Sequence, residues 1–490
     1  MKNLFVLFAV VFFAAAASRA ADSPVTIAVD SKSPGSTIST DFTGLSYEIA
    51  LLMPNENGVR YFRPDNKSLI NLFHTLGIKN LRIGGNSSDR DAHDLPSTAD
   101  IDSLFAFAKA AGVKVIYCLR LRHGDPQADA TTVKYIMSRY RDQVDCFSIG
   151  QEPSAYPVEQ ADARPDGGQA PTGGGKFQYS TYRDEWKEFA DVITAAEPDV
   201  KFCGPSVHNN GVWAQNFMAD FGKSGHISLI TEHLYPGGAG GKVPTPEIGR
   251  DRMLSDSFTA ADQKLYNSFA ATALADGFPY RLEEVNNFYN GGAAEVSNTY
   301  ASALWGLDFM YWWAAHAADG LNFHTGDRVA ADSVLKVSKY TAFFSTTNGY
   351  VIRPLGYGIK AFDLGGHGQF VPANVSNPGN LNLSAYAVLG DDKNLYLTII
   401  NKEHGATARE AEVSVSQNGA AVSREQVVFL SAPGNDLAAC SGETLGGVEI
   451  QSDGSWNGNW TPLDSSTIKI PPASAAIIKI LAFKDHLGVK

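Results

Sequence analysis

A (β/α)₈ TIM barrel followed by an antiparallel β-sandwich is the fold class this sequence predicts, and three observations predict it. Between about residues 41 and 325, eight short apolar runs recur, most followed by a helical pattern, as expected for βαβ units on a parallel sheet. Eight is the number that closes such a barrel. Beyond Tyr350 the pattern turns to alternating segments separated by Gly, Asn and Asp turns. With 490 residues, 44% of them hydrophobic and 19% charged, the chain exceeds one ordinary domain and supplies a large core.

Residues 1–20 read as a signal peptide: a cationic start at Met1-Lys-Asn3, the apolar run Leu4 to Ala17, and small residues through Ser18-Arg-Ala20. The chain is therefore expected to be exported, periplasmic or extracellular, and to begin near Ala21. No later stretch is long and apolar enough to span a bilayer. Residues 21–40 contain Val25-Thr-Ile-Ala-Val29, a strand that precedes the barrel and needs a sheet to pair with, so it is assigned to the sandwich.

The barrel is assigned to residues 41–347. Its strands are read at Phe42 to Tyr47, Asn80 to Ile83, Val113 to Cys118, Val144 to Ile149, Val200 to Cys203, Ile227 to Ile230, Tyr280 to Leu282 and Leu321 to Phe323. Ser103 to Gly112 is a helix closed by glycine, and Tyr182 to Val192 is an amphipathic one. Gln160 to Lys176, rich in Gly, Ala, Pro and Asp, reads as a long loop over the mouth after strand four. Residues 348–490 form the sandwich, with strands such as Leu395 to Ile400, Ala411 to Val415 and Ala475 to Ile480.

The formal charge is −12, and about −14 once Lys2 and Arg19 leave with the signal peptide. An acidic chain with no Lys/Arg cluster repels polyanions, which argues against nucleic acid and sulfated polysaccharide as partners. Cys118, Cys146 and Cys203 lie in apolar runs, where thiols pack as small hydrophobes, and their spacing matches no zinc motif.

Two carboxylates carry the chemistry. Strand four ends in Gly150-Gln-Glu-Pro153, which places Glu152 at the barrel mouth, and strand seven ends in Glu283-Glu284. Glutamates at the ends of strands four and seven match the pair a retaining glycosidase needs, one as acid/base and one as nucleophile. Strand alternation sends one of Glu283 and Glu284 inward and leaves the other as a wall group.

Glu284-Val-Asn-Asn-Phe-Tyr-Asn-Gly-Gly292 resembles the nucleophile segment of glycoside hydrolase family 79, the β-glucuronidase and heparanase family, where Glu is followed by a Tyr-x-Gly-Gly turn. The resemblance extends to Gly44-Leu-Ser-Tyr-Glu48, Leu81-Arg-Ile-Gly-Gly-Asn86, Glu232-His-Leu-Tyr235 and Asn322-Phe-His324. It implies the same barrel and sandwich, Glu284 as nucleophile with Glu283 as the alternative, and Arg82 and Tyr235 as hydrogen-bond partners that hold the nucleophile ionised. It also implies that Glu48, Asn86 and His324 touch sugar hydroxyls, and that Tyr289, Asn290 and Gly291 receive a uronate carboxylate through a phenol and backbone N–H groups.

Two departures stand out. The family usually has Asn before the acid/base, donating to the sugar 2-hydroxyl, whereas this chain has Gln151. After His324, Thr325 to Asp332 lacks the tyrosine that the family's β-glucuronidases place beside the carboxylate, with Arg328 as its replacement. The expected activity is an exo-acting, retaining β-glucuronidase on a carbohydrate ending in glucuronic acid or its 4-O-methyl form, with no cofactor, no metal and no protein partner. The alternatives are an endo-β-glucuronidase resembling heparanase and a catalytically impaired carbohydrate-binding homologue.

Overall fold

The computed structural model describes residues 24–89, 94–156, 177–325, 337–422, 425–463 and 467–481. The signal-peptide reading, the Gln160 to Lys176 loop and Arg328 lie outside the described residues. Among those described, no helix is long and apolar enough to cross a membrane.

Eight parallel strands close the barrel: Thr43–Glu48, Asn80–Gly84, Lys114–Leu119, Val144–Ile149, Phe202–His208, Ile227–Leu234, Tyr280–Val285 and Gly320–His324. The ring shuts where Thr43 pairs with Leu321 and Ser46 with His324. Strands five to seven run several residues past their apolar runs, because their last residues are buried polar groups, Glu232, His233, Glu283 and Glu284 among them. A reading keyed to hydrophobicity stops where the site begins.

Local chemistry explains the elements around this ring. The helix Thr98–Ala111 starts at a reciprocal Ser97–Asp100 capping box and stops at Gly112, whose φ of 68° suits glycine. The helix Tyr179–Ala196 buries Tyr182, Trp186, Phe189 and Ile193, one stripe at helical spacing, against the barrel. Inside, Ile116, Cys146, Cys203 and Leu229 form a separate small apolar cluster, and the three barrel thiols are free and buried.

The segment after Tyr350 is not β-structure throughout. Pro354–Gly365 is a helix, entered through proline, that follows strand eight and stacks Phe362 on Phe42 at 5.2 Å. It completes the barrel's outer layer, so the barrel extends past residue 347 to Gly365. Helical periodicity there is masked by three glycines and near-complete burial.

The sandwich consists of two sheets. Val25–Val29 lies between Ala373–Ser376, antiparallel, and Ala411–Gln417, parallel. Its alternating burial puts Val25, Ile27 and Val29 into a core with Leu395, Leu397, Ile399, Ile478 and Ile480 of the larger sheet. That larger sheet meets the barrel on its other face, where Tyr386 stacks on Tyr311 at 5.0 Å and Thr398 bonds the Tyr311 hydroxyl at 2.9 Å.

Candidate active site

The mouth is built upward from strand two. Arg82 has no exposure, and its Nη1 donates to Glu284 Oε2 at 2.8 Å and to Ser46 Oγ at 3.2 Å. The two glycines that follow make room: a Cβ on Gly84 would lie 2.5 Å from the Arg82 guanidinium carbon, and one on Gly85 2.5 Å from the Glu48 carboxyl carbon. Glu48 in turn accepts from the backbone N–H of Asn86 at 3.2 Å and of Ser87 at 2.7 Å, and from the Ser87 hydroxyl at 2.6 Å. Asn86 is therefore tied to the site through its backbone, with its side chain exposed.

Strand seven presents both carboxylates, contrary to simple alternation. Glu232 pairs with Leu282 and His233 with Glu284, so Glu283 is the extra residue of a bulge, and both glutamates turn toward His233. Glu284 accepts from Arg82, from the Tyr235 hydroxyl at 2.9 Å and from Gln151 Nε2 at 3.0 Å. Gln151 Oε1 accepts from Arg82 Nη2, which fixes the amide's orientation: its oxygen must face the guanidinium and its nitrogen the carboxylate. The residue expected to reach a sugar hydroxyl is thus bound through both ends of its amide, to Glu284 and to Arg82.

Glu152 sits opposite, in a left-handed conformation (φ 47°, ψ 50°) just before Pro153. Its N–H is anchored on Ser206 O at 2.9 Å, and its Oε1 lies 3.0 Å from His233 Nδ1. A non-glycine residue held there is a strained position of the kind found at functional sites. An oxygen of Glu152, an oxygen of Glu284 and a ring nitrogen of His233 all lie within 4.8 Å of one another. Such a triangle has metal-ligand chemistry, and its Glu284 member is already paired with Arg82 at 2.8 Å.

His324 bonds Ser46 through Nδ1 at 3.0 Å and approaches Glu48 through Nε2 at 3.7 Å. Tyr289 is half-buried, its ring 5.6 Å from that of His208 and 6.1 Å from that of Tyr235. Asn290 and Gly291 continue the turn with positive φ, and Asn290 is exposed. All the residues expected at the site therefore gather at one mouth, Asn86 and Asn290 at its rim.

Several residues there were not anticipated. His233 stands inside the quoted Glu232-His-Leu-Tyr235 segment, but its burial against three carboxylates has no sequence signature. Asp89 accepts from the Gln151 N–H at 2.5 Å and from the Tyr156 hydroxyl, locking the strand-four end. Tyr340 supplies an aromatic from beyond the Thr325 to Asp332 segment, its ring 6.1 Å from His324 and 6.3 Å from Tyr235.

The electrostatics are balanced. Burial opposes ionisation of Glu284, but the charges of His324, His233 and Arg82 outweigh it and hold its carboxyl far below the usual range. Burial likewise opposes the charge on Glu283, yet the His233 ring 3.5 Å away and the Arg82 charge lower it to about 2. Glu48 is lowered too, with His324 overcoming burial. On the other side, burial works against His233, and Glu284 and Glu152 nonetheless raise it to about 10. Arg82 and His324 are raised by the same carboxylates against the same desolvation. The ionised forms of Glu48, Glu283 and Glu284 and the protonated forms of Arg82, His233 and His324 therefore favour one another.

Comparison with known proteins agrees with the fold. No family model matches the chain. A β-glucuronidase of Aspergillus niger is 27% identical over 194 residues, 37% of this chain and 34% of that relative. The chain resembles the β-glucuronidases. The match spans about a third of that relative's length. Among solved structures, a 4-O-α-L-rhamnosyl-β-D-glucuronidase from Fusarium oxysporum superposes with a TM-score of 0.69 at 18% identity, over 93% of this chain and all of that one. A family 51 arabinofuranosidase from Xanthomonas axonopodis gives a TM-score of 0.63 at 14% identity over 94% of this chain. These two share the fold, barrel and sandwich together.

Proposed function

We propose that the protein is an exported, retaining exo-β-glucuronidase, with Glu284 as nucleophile and Glu152 as acid/base. The observation that carries the reading is the close approach of the two carboxylates, an oxygen of each within 4.8 Å. Retaining enzymes hold their carboxyls about 5–5.5 Å apart, whereas inverting ones need about 6.5–9.5 Å to admit a water. Glu284 is the ionised member, clamped by Arg82, Tyr235 and Gln151, and so is suited to attack the anomeric carbon. Glu152 is the more exposed member, with 21% of its side chain accessible, as a group must be that meets an incoming leaving oxygen.

In the first step Glu284 attacks the anomeric carbon, the glycosidic bond breaks, and the Glu152 proton passes to the departing oxygen. In the second, water attacks the same carbon, gives its proton to Glu152, and frees Glu284. The glucuronate reading is supported by likeness to the Aspergillus niger enzyme and by the Tyr289 to Gly292 turn, which offers a phenol and backbone N–H groups at the rim. The negative charge of −12 favours a small terminal residue over a long sulfated chain, which argues against the endo-acting alternative. The intact, fully bonded nucleophile argues against an impaired binding homologue. The Fusarium oxysporum structure acts on a glucuronide substituted at O4, which makes O4-substituted glucuronides the second substrate class to assay.

Turnover of an aryl β-glucuronide tests the reading, with the first-formed sugar followed by proton NMR. Release of the β-anomer supports it; no turnover of plain or O4-substituted glucuronides overturns it.

A further inference from the structure

The imidazole of His233, at the end of barrel strand six, lies among three carboxylates with no exposure. Its Nδ1 is 3.0 Å from Glu152 Oε1 and 3.9 Å from Glu284 Oε2, and its Nε2 is 3.5 Å from Glu283 Oε1. Glu283 is itself fully buried, and its other oxygen lies 3.8 Å from the Cys203 thiol. A carboxylate buried this way is costly unless a cation sits beside it.

On the retaining reading above, we propose that Glu283 and His233 are positioning residues that keep a fixed imidazolium between the acid/base and the nucleophile, with its Nδ1–H on the acid/base and its charge beside both. During glycosylation the negative charge leaves Glu284, which becomes an ester, and appears on Glu152, which has given its proton to the leaving oxygen. During deglycosylation it returns, as Glu152 takes a proton from water and the ester breaks. His233 keeps both its protons throughout. Its Nδ1–H is nearer Glu152 than Glu284, whereas the Arg82 ion pair is with Glu284, so His233 is the cation placed to offset the Glu152 carboxylate in the intermediate.

Glu283 is the anchor of this arrangement. The strand-seven bulge, which turns it inward beside Glu284, puts a permanent anion on the far nitrogen of the ring. The other charged or titratable groups facing His233 are Glu152 from strand four, Glu284 from strand seven, Arg82 from strand two and His208 from strand five, together with its neighbour Glu232. Burial drives His208 toward its neutral form and Glu232 toward protonation, which leaves the three nearby carboxylates to set the state of the ring. The rise of His233 to about 10 agrees with this.

The test does not require substrate. Full-length protein labelled with ¹⁵N-histidine is expected to show the His233 ring, assigned by its loss in His233→Gln, protonated on both nitrogens from about pH 6 to 9. In Glu283→Gln the same ring should lose its proton at a lower pH than in the unmodified protein. A neutral His233 at pH 7 in the unmodified protein overturns the proposal, whether or not glucuronides are hydrolysed; absence of turnover with an intact imidazolium overturns the glycosidase reading alone. In kinetics with an activated aryl β-glucuronide, Glu283→Gln is expected to accumulate the glycosyl-enzyme, lowering kcat and KM together. The acidic limb of its kcat profile should move up by about one pH unit, roughly tenfold in rate on that limb. Glu283→Asp should recover part of the shift, and it provides the same readout if Glu283→Gln does not fold. A lower rate with an unmoved pH profile would mean that Glu283 is a wall residue only, and would refute the proposal.

Discussion

Replacing Gln151 with alanine removes one strut from the nucleophile and one from its arginine. Gln151 Nε2 donates to Glu284 Oε2 at 3.0 Å, and Gln151 Oε1 accepts from Arg82 Nη2. Glu284 would keep the Arg82 Nη1 and Tyr235 bonds, at 2.8 and 2.9 Å, but lose the second donor to its Oε2. Arg82 Nη2 would be left buried without its acceptor, beside an Nε that already has none among the described residues. A hydrogen bond to a charged group contributes about 1.5–3 kcal/mol, so kcat/KM should fall roughly 10- to 150-fold. Both half-reactions pass through Glu284, so the loss should be equal on aryl glucuronides with good and with poor leaving groups. Gln151→Asn, about 1.5 Å shorter in reach, should fall between Ala and the unmodified protein because it cannot span both partners. The assay is kcat/KM across a leaving-group series for the three proteins. Higher activity of Gln151→Asn, or a loss confined to poor leaving groups, would refute the bridging role and return Gln151 to the sugar.

Other outcomes follow from the same geometry. Glu284→Ala should abolish hydrolysis, and azide should restore turnover as a glycosyl azide of inverted configuration, detectable by NMR. Rescue in Glu283→Ala instead would mean that the bulge presents the other carboxylate. Glu152→Gln should slow substrates with poor leaving groups far more than activated ones, since only the former need protonation; equal losses would remove Glu152 from the acid role. The buried charges also link stability to pH. Glu283, lowered from 4.5 to about 2, stabilises the fold above pH 4.5, and that contribution is lost as pH falls through about 2. His233, raised from 6.5 to about 10, contributes fully below 6.5 and loses its contribution as pH rises through about 10. Tm should therefore fall on both flanks, and an alkaline slope unchanged in His233→Gln would contradict the assignment.

Eight apolar runs were enough to read the barrel, because each strand buries branched side chains against the helical layer. Strand ends were read short where polar residues take over, as at Thr231 to Leu234 and Glu283 to Val285, since hydrophobicity cannot distinguish a buried polar mouth from a loop. The helix Ala301–Ala315 is buried almost all round and carries no polar stripe to announce its period. Glu152, Arg82, Tyr235 and Glu284 were legible because each sits in a motif of several residues. Gln151 was legible as a departure but not in its role: its extra methylene gains meaning only when Arg82 and Glu284 lie on either side of it. The inward turn of Glu283 depends on a bulge, which is a property of pairing between strands and not of either sequence alone.

The central claim, that Glu284 is the nucleophile of a retaining glucuronidase, is tested most directly by trapping it. A 2-deoxy-2-fluoro-β-glucuronyl fluoride should inactivate the protein by slowing release of the covalent intermediate more than its formation. Peptide mass spectrometry of the inactivated protein should then find one glycosyl adduct, on Glu284. An adduct on Glu283, or turnover that gives the α-anomer first with no adduct at all, would contradict the account.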